Sequence, residues 1–248
     1  MATIAIGDIH GNLHALSDLL EQVRDEVGEG DTVVFLGDYI DRGADSRGCV
    51  DAILSFQRES PARITCLIGN HEEWLLKTQR DHSSHSWLLG MDGLQTVRSY
   101  SLEAEQALVK ARRSAGVRLY TAQVELPYEV FFDAVPESHH RFFSALETAF
   151  DGPDCICSHA GVNPHSPHPD ISDANACIWG AAGFPGEYRG NKIIVYGHWN
   201  NAEIDESGAP TPRVVGRTIG IDTISHGVLT AFRLPDRRVF QSGRYAVT

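Results

Sequence analysis

Apolar positions along the chain change their period several times, and the changes mark out elements. Thr3 to Ile6 is a short β-branched run that ends at Gly7. Leu13, Leu16, Leu19, Leu20, Val23 and Val27 then recur at helical spacing until Gly28-Glu29-Gly30-Asp31 stops them. A second apolar run, Thr32 to Leu36, leads into Gly37-Asp38. A helical stretch follows from about Arg47 to Arg58, and Pro61 precedes a third run from Ile64 to Ile68. The N-terminal part therefore reads strand, helix, strand, helix, strand. Such alternation predicts a largely parallel sheet flanked by helices, with ligands gathered at the carboxyl ends of the strands.

From Glu72 to about Phe150 the sequence turns helix-rich with polar interruptions, among them Asp81-His82-Ser83-Ser84-His85 and the basic stretch Lys110 to Arg113. This predicts a helical insertion over about 72–150. Strand-like runs return at Cys155 to Cys157, Ile193 to Tyr196, Thr218 to Ile221 and Val228 to Leu234, the last turning at Pro235-Asp236 into Arg238 to Gln241. Asn163 to Asp173, with its prolines and histidines, and the polar segment Asn201 to Pro212 read as loops. There is no internal repeat, and 1–248 is expected to form a single domain.

Composition narrows the class. The chain has 248 residues, 42% hydrophobic and 22% charged, in the ordinary globular range. Its net charge of −12 argues against a nucleic acid polymer held through phosphate contacts. A phosphate-bearing ligand would then need a few placed arginines or bound metal ions for its positive field. Five cysteines, Cys49, Cys66, Cys155, Cys157 and Cys177, show no Cys-x-x-Cys spacing and read as buried thiols. No apolar run suits a bilayer and the first residues carry no leader pattern, so the expectation is a cytoplasmic protein without a membrane partner.

The chemistry lies at the strand ends. They read Gly7-Asp8-Ile9-His10-Gly11, Gly37-Asp38-Tyr39-Ile40-Asp41-Arg42-Gly43, Gly69-Asn70-His71-Glu72, Ser158-His159-Ala160-Gly161 and Tyr196-Gly197-His198-Trp199. One such block could be an ordinary turn. Five strand ends bearing Asp, Asn or His fit one shared metal site. Carboxylate, imidazole and amide donors together suit Mn, Fe or Zn, whereas an all-oxygen set would point to Mg or Ca.

The three N-terminal blocks resemble the GDxHG, GDxxDRG and GNH(D/E) signature of the phosphoprotein phosphatase branch of the calcineurin-like metallophosphoesterases. In that branch two isolated histidines follow, and the likeness extends through Ile219-Gly220-Ile221-Asp222-Thr223. The resemblance implies an α/β sandwich of two mixed β-sheets flanked by helices. It also implies two divalent metal ions, with Mn first and Fe or Zn as alternatives. One ion would be held by Asp8, His10 and Asp38, the other by Asp38, Asn70, His159 and His198, so that Asp38 bridges. Two such cations leave a net charge of about +2 over the two carboxylates, suited to a phosphate dianion and to lowering the pKa of a bridging water for in-line attack on phosphorus.

Asp41 and His71 are the expected acid–base pair, the carboxylate orienting the imidazole that protonates the departing alkoxide. Arg42 is the expected phosphate fork, because a guanidinium can hold two phosphate oxygens at once. Protein phosphatases of this branch place an arginine two residues before the motif asparagine, whereas this chain has Ile68. Arg189 is the candidate replacement for binding substrate, set against the plainer reading of a surface arginine.

The resemblance favours a serine/threonine protein phosphatase acting on a phosphorylated protein or peptide. Ile68 and Trp199, in Gly-His-Trp where many protein phosphatases have Gly-His-Thr, resemble instead the symmetrical diadenosine tetraphosphate hydrolases, for which the substrate is a nucleotide. A metal-bearing binding module with weak catalysis is the third reading. Other features take plainer readings. His82 and His85 are expected to face solvent, His139 and His140 to lie on a helix surface, and Lys110 to Arg113 to form a solvated helix face. His165, His168 and His226 are candidates to line the cleft, and Cys155 and Cys157 share one face of a strand.

Overall fold

The computed structural model describes residues 1–166 and 169–246, so His168 lies outside the described residues. The N-terminal alternation appears as β1 (Thr3–Ile6), α1 (Leu13–Arg24), β2 (Thr32–Phe35), α2 (Ser46–Glu59) and β3 (Arg63–Cys66). Each helix starts where a side chain satisfies a free amide. Asn12 Oδ1 accepts from Ala15 N at 3.1 Å and Asp45 Oδ1 accepts from Gly48 N at 2.7 Å.

The insertion is helical throughout: α3 (Asn70–Arg80), α4 (Ser86–Gly90), α5 (Gly93–Tyr100), α6 (Leu102–Ala115), α7 (Arg118–Thr121), α8 (Glu129–Phe132) and α9 (Glu137–Ser144). Then follow β4 (Ala149–Asp151), β5 (Cys155–Ser158), α10 (Ala174–Trp179), β6 (Ile193–Tyr196), β7 (Ala202–Ile204), β8 (Pro210–Val215), β9 (Thr218–Gly220), β10 (Thr230–Leu234) and β11 (Arg238–Gln241).

These strands build two mixed sheets, of order β11-β10-β1-β2-β3 and β4-β5-β6-β9-β8-β7. β1, β2 and β3 run parallel in register, Thr3 opposite Thr32 and Thr32 opposite Arg63, while β10 and β11 join antiparallel. In the second sheet β5, β6 and β9 are parallel, and β4, β8 and β7 are antiparallel additions. Alternate residues of the first sheet serve two cores. Ala5, Val34 and Leu67 pack with Cys157, Val195 and Ile219 between the sheets, while Ile4, Ile6, Val33 and Phe35 pack under Leu16, Leu19, Ile53 and Phe56 of α1 and α2. Burial on both faces explains the unbroken apolar runs of β1 and β2.

Within the fold, the structure departs from the sequence reading at one hairpin and two histidines. Residues 201–212, expected as a loop, hold the hairpin strand β7 and the start of β8, paired Ala202 opposite Pro212. A hairpin at the sheet edge with both faces partly wet has no need of apolar alternation. His139 is fully buried rather than on a helix surface, because its Nδ1 meets the Tyr100 hydroxyl at 2.7 Å and its Nε2 meets Asp51 Oδ1 at 3.0 Å. His85 is likewise buried, between the Tyr128 hydroxyl and the Val124 carbonyl oxygen.

Among the described residues, no helix is long and apolar enough to cross a membrane. All five cysteines are buried and free. Ile219 is buried between the sheets. Ile219→Ala should therefore cost about 2–4 kcal/mol in equilibrium urea unfolding, with an unchanged m-value.

Candidate metal centre

The loops that follow β1, β2, β3, β5 and β6 meet at one end of the sandwich, each leaving the carboxyl end of its strand. The first two are stitched together by backbone: Ile9 N and His10 N donate to Asp38 O at 3.0 and 2.8 Å, and Gly11 N donates to Tyr39 O at 3.0 Å. The second and third are joined through one side chain. Glu72, fully buried in the first turn of α3, accepts from Asp38 N at 2.9 Å and Gly69 N at 3.0 Å on Oε2, and from Tyr39 N at 2.9 Å on Oε1. The approach is so close that a Cβ on Gly69 would collide with the Asp38 carboxylate.

Seven non-glycine residues of these loops are left-handed: His10, Asp38, Asp41, Arg42, His198, Trp199 and Asn200, with φ between 44° and 70°. Each such residue costs on the order of 1–2 kcal/mol, and the surrounding bonds must hold it.

Asp38 is the hub. Its carboxylate belongs to two groups whose donor atoms lie within 4.8 Å of one another, His10–Asp38–His71 and Asp38–His159–His198. His10 Nε2 is 3.4 Å from Asp38 Oδ2, and His159 Nε2 is 3.5 Å from Asp38 Oδ1. Asn70, at the start of α3, places its Oδ1 2.9 Å from His159 Nε2. Asp8 lines the same cleft but stands outside both groups, and its two carboxylate oxygens accept from His198 N at 3.1 Å.

The donors fit a divalent cation. His10 and His159 give their Nδ1 protons to the Ile40 and Leu36 carbonyl oxygens, which leaves a bare lone pair on each Nε2. Burial lowers the pKa of both rings, His10 to about 3, so they are neutral near pH 7; His198, also held down by His159, falls to about 3 as well. The His159 Nε2 lone pair and the Asn70 oxygen therefore face each other as two acceptors, an arrangement that a cation between them satisfies.

Three buried carboxylates add to the demand. Burial, with Asp222 and Asp38 beside it, raises Asp8 well above the usual carboxylate range. Asp222 is pushed up to about 6 by burial and Asp38, against its bond from Asn200. For Asp38 burial is outweighed by the imidazoles of His159, His71, His10 and His198, and its pKa falls.

Beside this cluster, His71 gives its Nδ1 proton to Asp41 Oδ2 at 2.7 Å and turns Nε2 toward the cleft. The insertion holds Asp41 in place: Trp87 Nε1 of α4 donates to its Oδ2 at 2.9 Å, and the Thr96 hydroxyl of α5 donates to its Oδ1 at 2.5 Å. Burial opposes protonation of His71, but Asp38 and Asp41 outweigh it and raise the imidazole pKa. The Arg42 guanidinium spans the cleft, 3.0 Å from His10 Nε2 and 3.3 Å from His71 Nε2.

The model of the calcineurin-like phosphoesterase family matches residues 1–202. The chain belongs to that family. Relatives of this phosphoesterase include the zinc-dependent endopolyphosphatase of Saccharomyces cerevisiae, 25% identical over 65% of this chain and 47% of that protein. Another is serine/threonine-protein phosphatase 1 of Salmonella typhimurium, 39% identical over 34% of this chain and 36% of its own length. The chain thus spans less than half of each of these two relatives. A solved structure described as a candidate diadenosine tetraphosphatase shares the fold, with a TM-score of 0.59, 20% identity and coverage of 98% of this chain and 94% of its own.

Not every expected residue of this phosphoesterase reaches the cleft. Arg189 is exposed and donates through one guanidinium nitrogen to the carbonyl oxygens of Gly186 and Tyr188. His165 pairs with Glu187 at 3.4 Å on the surface. His226 does not line the cleft, although its neighbours Ile224 and Ser225 do. His82 is partly exposed and stacks on Phe132. Three supports were not singled out from sequence: Glu72, Asp222, and the Trp87–Thr96 pair. Glu72 and Asp222 sit inside motifs already noted for their family likeness, whereas Trp87 and Thr96 carry no local signal.

Replacing Glu72 with Gln keeps the shape but turns a carboxamide NH2 donor toward amides that need an acceptor. Glu72→Gln should lose about 3 kcal/mol, seen as a fall in Tm of about 6–12 °C.

Proposed function

We propose that this protein is a metal-dependent phosphoester hydrolase whose preferred substrates are phosphoserine and phosphothreonine in proteins or peptides. The 2.7 Å bond between His71 and Asp41, directly beside the Asp38 hub, carries this reading. Asp8, His10, Asp38, Asn70, His159 and His198 are the proposed ligands of two divalent cations, with Mn the first candidate. When bound, the cations supply an activated water for attack on phosphorus and positive charge to balance the phosphate.

The chain's own residues do the rest. Arg42 takes two non-bridging phosphate oxygens on its two terminal nitrogens and sets the phosphorus in line. His71 Nε2 gives its proton to the oxygen that departs as the P–O bond breaks, and Asp41 holds the ring and stabilises its charged form. The 39% identity over 34% of the chain with the Salmonella serine/threonine-protein phosphatase supports the protein substrate. An ordered acid pair in which Asp41 is held by Trp87 and Thr96 as well as by His71 does not suit a binding module that has lost catalysis.

A second reading, hydrolysis of a dinucleoside polyphosphate such as diadenosine tetraphosphate, has its own support. Two cavities flank the cleft. One, of about 430 Å³, shares His10 and Arg42 with it and is walled by His14 and Tyr245. The other, of about 420 Å³, shares Trp199 and is walled by Trp179, Phe184 and Tyr196. A substrate with an aromatic group on each side of its phosphates matches that layout. Trp199, 67% exposed, stands between cleft and cavity.

Parallel assays with Mn of phosphopeptides, diadenosine tetraphosphate and para-nitrophenyl phosphate separate the readings. Faster turnover of phosphopeptides is expected, a preference for the dinucleotide would reverse the assignment, and no metal-dependent release from any of them would refute both.

His71→Asn should lower kcat toward an alkyl phosphoester by about 10² or more. It should affect para-nitrophenyl phosphate much less, because that leaving group needs no proton. Arg42→Ala should lower kcat/KM by about 10²–10³, and Arg42→Lys should recover little of it.

A further inference from the structure

The turn that carries His198 is the most strained segment at the cleft. Three consecutive non-glycine residues, His198, Trp199 and Asn200, are left-handed, with φ of 57°, 66° and 50°. L-residues visit that region singly rather than in runs, so something outside the turn must hold it. Asn201 closes it from within, its amide donating to the carbonyl oxygens of Gly197 and His198. Asp8 accepts the amide at its first residue. At its last residue, Asn200 N donates to Asp222 Oδ2 at 2.7 Å, which ties the far end of the turn to the strand-end segment after β9.

Asp222 is 5% exposed, and among the described residues its Oδ1 has no close hydrogen-bond partner, the Ile224 amide adding only a further pull that lowers the carboxyl's pKa. A buried carboxylate with an idle oxygen is costly, and removing it would relieve Asp8. Its short bond from Asn200 N therefore points to a specific task.

We infer that Asp222 is a positioning residue for the metal centre: it clamps the amide of Asn200 and so holds the His198 to Asn200 turn in the left-handed form that presents the His198 imidazole. The clamp works through the acceptor position of Oδ2. It rests on the reading of His198 as a metal ligand.

Manganese binding to the purified full chain, measured by equilibrium dialysis and elemental analysis, tests this without reference to turnover. Asp222→Asn keeps an acceptor in place and removes the charge; it should bind Mn within about threefold of the wild type. Asp222→Ala removes the acceptor, and Asp222→Glu keeps the charge but displaces it by a methylene. Both should bind at least tenfold more weakly at the site that includes His198. Circular dichroism in EDTA checks that each variant is folded, and should Asp222→Ala fail to fold, Asp222→Glu against Asp222→Asn gives the same comparison.

Adding Asn200→Gly relieves the left-handed strain and should restore about fivefold of the affinity lost in Asp222→Ala. A residue that only fills space would show no such rescue. Asp222→Asn as weak as Asp222→Ala, or Asp222→Ala with wild-type affinity, overturns the clamp. His198→Ala that loses no metal would instead overturn the ligand reading, whichever way the Asp222 variants behave.

Discussion

The site depends on one buried carboxylate that faces backbone amides rather than the cleft. Glu72 gathers the amides of Asp38, Tyr39 and Gly69, and so fixes the loop after β2 against the start of α3. Those amides are the free donors that strand ends and helix starts leave behind, and water is excluded from them. A neutral acceptor would satisfy one or two. A carboxylate satisfies all of them and also offsets the cost of left-handed Asp38. Everything else at the cleft is referenced to that junction: His71 follows one residue before Glu72, Asp38 is held by its own amide, and His71 N reaches back to Asp38 Oδ1 at 3.2 Å.

The same junction creates the electrostatic demand that the cleft must meet. Asp8, Asp38, Asp222 and Glu72 are all buried within a short distance of one another, faced by neutral imidazoles and by the Arg42 guanidinium. A cluster of this sign is stable only with positive charge nearby. Divalent cations at the proposed ligands would answer it, which makes metal binding and the stability of these loops one linked equilibrium. The overall charge of −12, which counts these buried carboxyls too, does not oppose an anionic substrate once the cleft itself is positive.

The strand ends were legible because parallel strands buried on both faces read as unbroken apolar runs, and polar residues directly after such a run can only sit at its carboxyl end. Asp8, His10, Asp38, Asn70, His71, His159 and His198 were each found that way. The β7–β8 hairpin was hidden because an edge exposed on both faces carries no alternation, and its prolines resemble a loop. His139 and His85 look like surface histidines until Tyr100, Asp51 and Tyr128 are brought to them by helix packing. Arg189 was placed near the cleft by its distance along the chain, but the carbonyl oxygens of its own loop hold it elsewhere. Pairings across α4, α5 and α9 depend on tertiary contacts that no local period encodes.

That difference also explains why chemistry is easier to read than substrate. Each proposed ligand comes from a motif of three to seven residues whose glycines permit the close approach the site needs. The rim is assembled otherwise: Trp199 from one loop, Trp179 from the end of α10, Phe184 from another loop, Tyr245 from the C-terminal segment. No two of those residues share a motif, and of the four only Trp199 adjoins a proposed ligand, so Trp179, Phe184 and Tyr245 are less tied to the Asp38 hub. The helical insertion sits between the two regimes. Through Trp87 and Thr96 it orients Asp41, and through Trp74 packed 4.9 Å from Trp179 it reaches the rim. A change in that insertion can therefore reach both the proposed acid pair and the rim, while the proposed ligands stay where the strands put them.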